Sequence, residues 1–147
     1  MNLPDKVFVD TSFFIALLNV NDNDHLQAVA LQTWLTAERV GKITSEYVLL
    51  ELGDGLSRLH FRHLAGRLIE LVYQDESFEV VPSSSQLFMK ALTPFNERPD
   101  KEWGLTDCAS FIIMQERELT AGLTADHHYQ QAGFRAVLLD PSDFTTR

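Results

Sequence analysis

The chain has 147 residues, of which 45% are hydrophobic and 22% are charged, with one cysteine and a formal net charge of −9. This length suits one domain spanning residues 1–147, and this composition excludes a disordered, collagen-like or coiled-coil chain. The lone Cys108 excludes an internal disulfide and a cysteine-based zinc cluster. The longest apolar run, 13–18, is too short for a membrane span, and no secretory signal is recognisable, so we expect a cytoplasmic protein without a membrane partner.

Strand-like runs alternate with helical patterns along the chain. The pattern predicts strands at 7–9, 42–44, 78–81, 120–124 and 136–139, and helices at 13–18, 25–39, 46–59, 64–73, 84–95, 107–117 and 126–131. Ser83 with Gln86 has the spacing of a capping box, and Ser45 and Thr106 are further candidate N-caps. This alternation is typical of an α/β fold with a mainly parallel sheet and helices on both faces.

Three acids lie where elements of such a sheet begin or end. Asp10 follows the first strand, Asp126 follows the fourth, and Asp107 opens a helix. Ligands of open parallel sheets bind at the carboxyl ends of the strands. Asp107 can instead favour the helix dipole, and Asp126 can cap its helix. Asp10 lies between two apolar runs, where an unpaired carboxylate is costly and needs hydrogen bonds or a cation.

Glu51 is a fourth candidate on the predicted helix 46–59. It lies one turn from Val48 and beside Leu52, at the border of the inward-facing stripe, and Gly55 leaves open space on that flank. The alternative is an edge residue that reaches water. Four carboxylates that converge would repel one another, and Mg²⁺ or Mn²⁺ relieves that repulsion. Such a cluster is typical of metal-assisted in-line attack on a phosphodiester.

The acidic balance argues against an ordinary nucleic-acid binder, but positive charge is concentrated in one segment. Residues 55–69 contain no acid and carry Arg58, Arg62 and Arg67, so their charge is +3. These arginines are candidates for phosphate contacts. A solvated helix face or an interface with a protein partner explains them equally well.

Four segments resemble the PIN-domain ribonucleases, in particular the toxin-type members of bacterial toxin–antitoxin pairs. They read VFVDTS at 7–12, TSEYVLLEL at 44–52, LTDCASF at 105–111 and LTADHHYQQAGF at 123–134. The resemblance implies a three-layer α/β/α sandwich with a five-stranded sheet. It also implies catalytic, metal-binding acids at four positions: Asp10, Glu51, Asp107 and Asp126.

The same resemblance implies a Mg²⁺- or Mn²⁺-dependent endoribonuclease that cleaves single-stranded RNA with a metal-activated water. It implies a cognate antitoxin as a partner, and the apolar residues of 46–73 are compatible, by analogy, with a homodimer. Thr11 resembles the small hydroxyl residue beside the first acid and either orients Asp10 or phosphate or caps the helix. His128 and Tyr129 match a His–aromatic pair, although packing of the short helix explains them better, and His127 is expected to be exposed.

Other functional classes remain open. A phosphoacceptor signalling domain would have an acidic pair after the first strand and a lysine after the last, where this chain has Asp10 alone and Asp140. An aspartate-nucleophile phosphatase would need Asp-x-Asp, but Ser12 occupies the third position. A non-catalytic PIN-like module that binds RNA or protein is disfavoured because all four acids are present.

Overall fold

The computed structural model describes residues 4–140, in which five strands form one entirely parallel sheet in the order β3-β2-β1-β4-β5. The strands are β1 (Lys6–Val9), β2 (Gly41–Ser45), β3 (Phe78–Val81), β4 (Ala121–Leu123) and β5 (Arg135–Ala136). The described residues also form seven helices: α1 (Thr11–Leu18), α2 (His25–Ala37), α3 (Glu46–Gly55), α4 (Leu59–Gln74), α5 (Ser85–Glu97), α6 (Leu105–Glu116) and α7 (His127–Gln131). The predicted α/β class with a five-stranded parallel sheet is confirmed.

The sheet is buried on both faces. Val7, Phe8 and Val9 are consecutive residues of β1, and all three are fully buried. Because successive side chains of a strand point to opposite faces, both faces must be covered by helices, as in a three-layer sandwich. No helix within residues 4–140 is long and apolar enough to cross a bilayer.

Several helix ends differ from the predictions by a few residues. The N-cap of α3 is Ser45, as predicted, but that of α5 is Ser84, not Ser83. The N-cap of α6 is Gly104, not Thr106, because the carboxylate of Asp107 accepts a hydrogen bond from the Gly104 N–H at 3.3 Å. A carboxylate at the third helical position thus satisfies a free N–H at the start of the helix.

The middle and end of the chain also depart from the predicted boundaries. The predicted helix 46–59 is shorter in the structure, because α3 ends at Gly55 and α4 begins at Leu59. Leu56 is buried but Leu59 is 88% exposed, so the inward-facing apolar residues of this segment end at Leu56. Strand β5 is shorter and earlier than predicted, since residues 137–139 form a turn. Tertiary packing, rather than local periodicity, sets these ends.

Candidate active site

The strand order places a change of direction between β1 and β4. From β1 the chain builds outward through β2 and β3, and it then returns to add β4 and β5 on the other side. Ligands of open α/β sheets bind at such a switch point, outside the carboxyl ends of the strands. Asp10 follows β1 there, and its backbone N–H donates to the carbonyl oxygen of Leu123 at 3.2 Å.

Asp10 is 4% exposed and is compensated by three neutral hydroxyl donors. The Tyr129 hydroxyl donates to Oδ1 at 2.9 Å, while the hydroxyls of Thr124 and Ser12 donate to Oδ2 at 2.7 Å and 3.1 Å. Burial, together with the charge of Asp10, raises the pKa of Tyr129 well above its ordinary value, so that this phenol remains a donor. These donors allow a buried carboxylate to hold a fixed orientation.

The same hydroxyls connect Asp10 to the loop after β4. The Ser12 hydroxyl accepts from the backbone N–H of Ala125 at 3.0 Å, and the Thr124 hydroxyl accepts from that of Asp126 at 3.0 Å. Sequence reasoning missed Ser12 and Thr124. The signal was available, because each small hydroxyl residue stands two positions from an acid, in Asp10-x-Ser12 and Thr124-x-Asp126.

His128 joins the other two aspartates. Its Nδ1 lies 3.1 Å from Oδ2 of Asp107 and 3.2 Å from Oδ1 of Asp126, and its backbone N–H donates to the same Asp126 oxygen at 2.9 Å. Asp126 is the N-cap of α7, so it caps its helix as one of the two interpretations predicted. The ring of Tyr129 packs edge-on against that of Phe111, as expected. Packing of the short helix does not explain why His128 contacts the carboxylates of both Asp107 and Asp126.

Negative charge accumulates at Asp107. Burial, followed by the charges of Asp126 and Asp10, raises the pKa of Asp107 from 3.8 to about 6. The side chain of Asp107 is 14% exposed and that of Asp126 is 31% exposed. The structure therefore brings these three aspartates together at one edge of the sheet, where a positive charge would relieve their mutual repulsion.

Glu51 is exposed, and it contacts Thr11, the residue that follows Asp10. The Thr11 hydroxyl donates to Oε1 of Glu51 at 2.6 Å, and Thr11 is only 6% exposed. Helix α1 begins at Thr11 with Asp10 as its N-cap, so Thr11 does not cap the helix, and its hydroxyl orients Glu51 rather than Asp10. The residue next to the first acid thus ties α1 to α3.

Comparison with known proteins identifies the fold family. The model of the PIN domain matches residues 7–135, which include all four carboxylates. The chain belongs to the PIN-domain family. This PIN domain is 28% identical over 131 residues to "23S rRNA-specific endonuclease VapC20" from two strains of Mycobacterium tuberculosis, an alignment that covers 89% of this chain and 97% of the relative.

The crystal structure of Mycobacterium tuberculosis VapC20, described as a sarcin–ricin loop cleaving toxin, superposes on this PIN domain with a TM-score of 0.75. The two share 26% sequence identity, and the superposition covers 87% of this chain and 95% of the other. The resemblance in sequence therefore extends to the arrangement of the elements that carry the site.

The three candidate arginines of this PIN domain contact residues other than the four acids. Arg58 is the exposed N-cap of α4, Arg62 donates to the carbonyl oxygen of Ser57 at 3.0 Å, and Arg67 pairs with Glu70 at 3.5 Å. Among residues 4–140, no hydrogen bond or ion pair joins these arginines to the four acids. A solvated helix face accounts for the contacts that they make.

A second set of candidate metal ligands overlaps the site. Asp126, His127 and His128 offer ligand atoms that lie within 4.8 Å of one another. His127 is exposed, as expected, with 65% of its side chain accessible. A mixed nitrogen and oxygen set suits zinc-like transition metals, whereas carboxylates alone suit Mg²⁺ or Mn²⁺. This set and the four carboxylates share Asp126. Replacing His127 should weaken metal binding only if the set that contains histidine holds the metal.

Proposed function

We propose that this PIN domain is a divalent-metal-dependent endoribonuclease whose metal ligands are Asp10, Glu51, Asp107 and Asp126. The geometry around His128 carries the proposal, because its Nδ1 lies within 3.2 Å of carboxylate oxygens of both Asp107 and Asp126. Burial, followed by the charges of Asp126 and Asp10, also raises the pKa of Asp107 to about 6. Mg²⁺ and Mn²⁺ are hard cations that prefer such oxygen ligands. The fourth acid, Glu51, accepts a hydrogen bond from Thr11, the residue that follows Asp10.

The protein's own residues fix these carboxylates before any ligand arrives. Three hydroxyl donors orient Asp10, and the Thr11 hydroxyl orients Glu51. His128 lies between Asp107 and Asp126 and can hold a proton at Nδ1. One or two bound metal ions would lower the pKa of water and stabilise the leaving oxygen of a phosphodiester. No side-chain nucleophile is required for such hydrolysis.

RNA is the substrate class that we propose. The similar mycobacterial proteins are named for cleavage of 23S rRNA and of its sarcin–ricin loop. Unpaired loops expose their bases and backbone to a protein, so a single-stranded ribosomal loop is the first target to test. We further propose that the chain acts as the toxin of a toxin–antitoxin pair with a cognate antitoxin. The single domain, homodimer and cytoplasmic location remain predictions.

The decisive experiment is RNA cleavage by matched variants. Purified protein would be incubated with ribosomes and with an isolated sarcin–ricin-loop RNA, in Mg²⁺, in Mn²⁺ and in EDTA. Asp10→Asn and Asp107→Asn should each reduce cleavage by more than the ~10–100-fold typical of a residue behind the metal ligands. Asp54→Asn, an exposed change of equal charge on α3, should cleave normally. Cleavage in EDTA, or by Asp10→Asn at the normal rate, would contradict the proposal.

Calorimetric titration with Mn²⁺ separates the two possible ligand sets. His127→Ala should bind Mn²⁺ as tightly as the unchanged protein, while Asp107→Asn should lose most of the binding heat. Loss of binding in His127→Ala would favour the set that includes histidine. Failure of the unchanged protein to bind Mn²⁺ would instead favour a non-catalytic module.

Labelling with a phosphoryl donor tests the remaining alternative. A stable acyl phosphate on Asp10 would favour a phosphoacceptor signalling domain.

A further inference from the structure

Lys42 is a buried lysine on an inner strand of the sheet. It is the second residue of β2, and it is opposite Val7 on β1 and Phe78 on β3. Only 3% of the residue is exposed. The apolar stem of Lys42 is covered by its neighbours, while Nζ stays open to solvent, because the described residues contain no fully buried side-chain nitrogen or oxygen without a hydrogen-bond partner.

Among the described residues, the ammonium group of Lys42 contacts an aromatic ring but no hydrogen-bond acceptor. Its Nζ lies 4.8 Å from the centre of the Phe78 ring, and within residues 4–140 it makes no hydrogen bond or ion pair. Asp75 acts on it only at longer range, and Oδ1 of Asp75 already accepts from the N–H and hydroxyl of Ser77 at 2.8 Å and 2.7 Å. A cation–π contact attracts the ammonium group but supplies no acceptor.

Lys42 lines a cavity of about 410 Å³ at the amino-terminal edge of the sheet. Lys6, at the start of β1, and Arg39, just after α2, also line it. Its acids are Asp75, Glu76 and Glu79, and the last of these is neutralised by an ion pair with Arg117. With Glu79 paired to Arg117, the three cations exceed the two remaining acids by one positive charge, and Asp75 attracts Lys42. Cavities of this size are typical of small-ligand sites.

We propose that this cavity binds a small oxyanion of the phosphate or carboxylate type, with the ammonium of Lys42 as its principal donor. Such an anion would accept hydrogen bonds from the solvent-open Nζ, and the positive charges of Lys6 and Arg39 favour its entry. The site is at the opposite edge from Asp10, which follows the carboxyl end of β1. The proposal therefore does not depend on the proposed nuclease activity.

The test is a titration of the ¹⁵N-labelled protein with inorganic phosphate and, separately, with acetate, at constant ionic strength set with chloride. Saturable amide shifts are expected at Gly41, Ile43 and Ser77, around the ammonium group. Lys42→Met keeps the apolar stem but removes the donor, so it should weaken binding by about tenfold or more. Lys90→Met, the same change at an exposed lysine paired with Glu116, should leave binding unchanged.

The relative response to the two anions identifies the preferred chemistry. Stronger saturation by phosphate indicates a phosphate-type ligand, and stronger saturation by acetate indicates a carboxylate. The proposal is overturned if neither anion gives saturable shifts around Lys42, since the ammonium would then be a structural residue that only contacts Phe78. Equal affinity in Lys42→Met would overturn it as well. The titration of the unchanged protein decides the matter even if that variant does not fold.

Discussion

Replacing Asp107 with asparagine should stabilise the metal-free protein near neutral pH but not near pH 4. In the folded protein the pKa of this carboxyl is raised from 3.8 to about 6, chiefly by burial and then by the charges of Asp126 and Asp10. Folding therefore disfavours the ionised form. As the pH rises from about 4 to about 6, the folded state holds the proton that the unfolded state has lost, and stability falls.

The size of the effect follows from this shift. Raising the pKa from 3.8 to about 6 is roughly two units, and each unit corresponds to ~1.36 kcal/mol, so the ionised carboxylate costs roughly 3 kcal/mol above pH 6. Asparagine carries no charge and can still accept from the Gly104 N–H through its amide oxygen. Loss of the hydrogen bond between the Asp107 carboxylate and Nδ1 of His128 reduces the gain, so about 2–3 kcal/mol is the expected range.

Urea unfolding in EDTA, followed by circular dichroism at about pH 7.5 and about pH 4, measures this gain. Asp54→Asn provides the control, since it removes an equal charge from the exposed surface of α3. Mg²⁺ should then stabilise the unchanged protein more than Asp107→Asn, because only the former keeps the full ligand set. An equal gain at both pH values, or a loss of stability near pH 7.5, would refute the electrostatic reasoning.

Three further substitutions test other parts of the structure by unfolding and cleavage assays. Asp10→Asn should abolish cleavage and lower stability by ~1–3 kcal/mol. Stability falls because the amide group cannot accept from every hydroxyl around it, including that of Tyr129, so a gain in stability would contradict the hydrogen-bond assignment. Thr11→Val should weaken Mn²⁺ binding by ~10–100-fold through the loss of the donor to Glu51, and unchanged binding would remove Thr11 from the site. Glu118→Gly should raise stability by ~0.5–1 kcal/mol, since a φ of 55° costs a non-glycine residue ~1–2 kcal/mol. Glycine's greater freedom in the unfolded chain offsets part of this gain, and a destabilised variant would contradict the expected balance.

Helix periodicity was a weaker guide than strand position. In α2 the sequence places Leu26 and Val29 near a 3.6-residue period, yet the first is 84% exposed and the second 43% exposed. The buried residues of this helix are Ala28, Leu31 and Leu35. Several apolar residues on one helix allow more than one inward face, and only contact with neighbouring elements selects between them.

From the amino-acid sequence alone we could predict the alternating α/β order, the parallel sheet and four acids near the ends of elements. These features are local, because strand runs, caps and breaks are encoded by neighbouring residues. An acid that directly follows a buried strand, such as Asp10, is therefore recognisable without a structure. Helix ends were less accurate, because a carboxylate such as that of Asp107 can take the place of a capping hydroxyl.

The contacts and charges of these acids depend on residues that meet only in the folded protein. The Thr124 and Tyr129 hydroxyls reach Asp10 across 114 and 119 positions of sequence, and Thr11 meets Glu51 across 40. The pKa of Asp107 likewise depends on its burial and on two carboxylates from other elements. Hydrogen bonds and Coulomb interactions depend on distance in space, which the chain acquires only when the strands β1 and β4 are brought side by side.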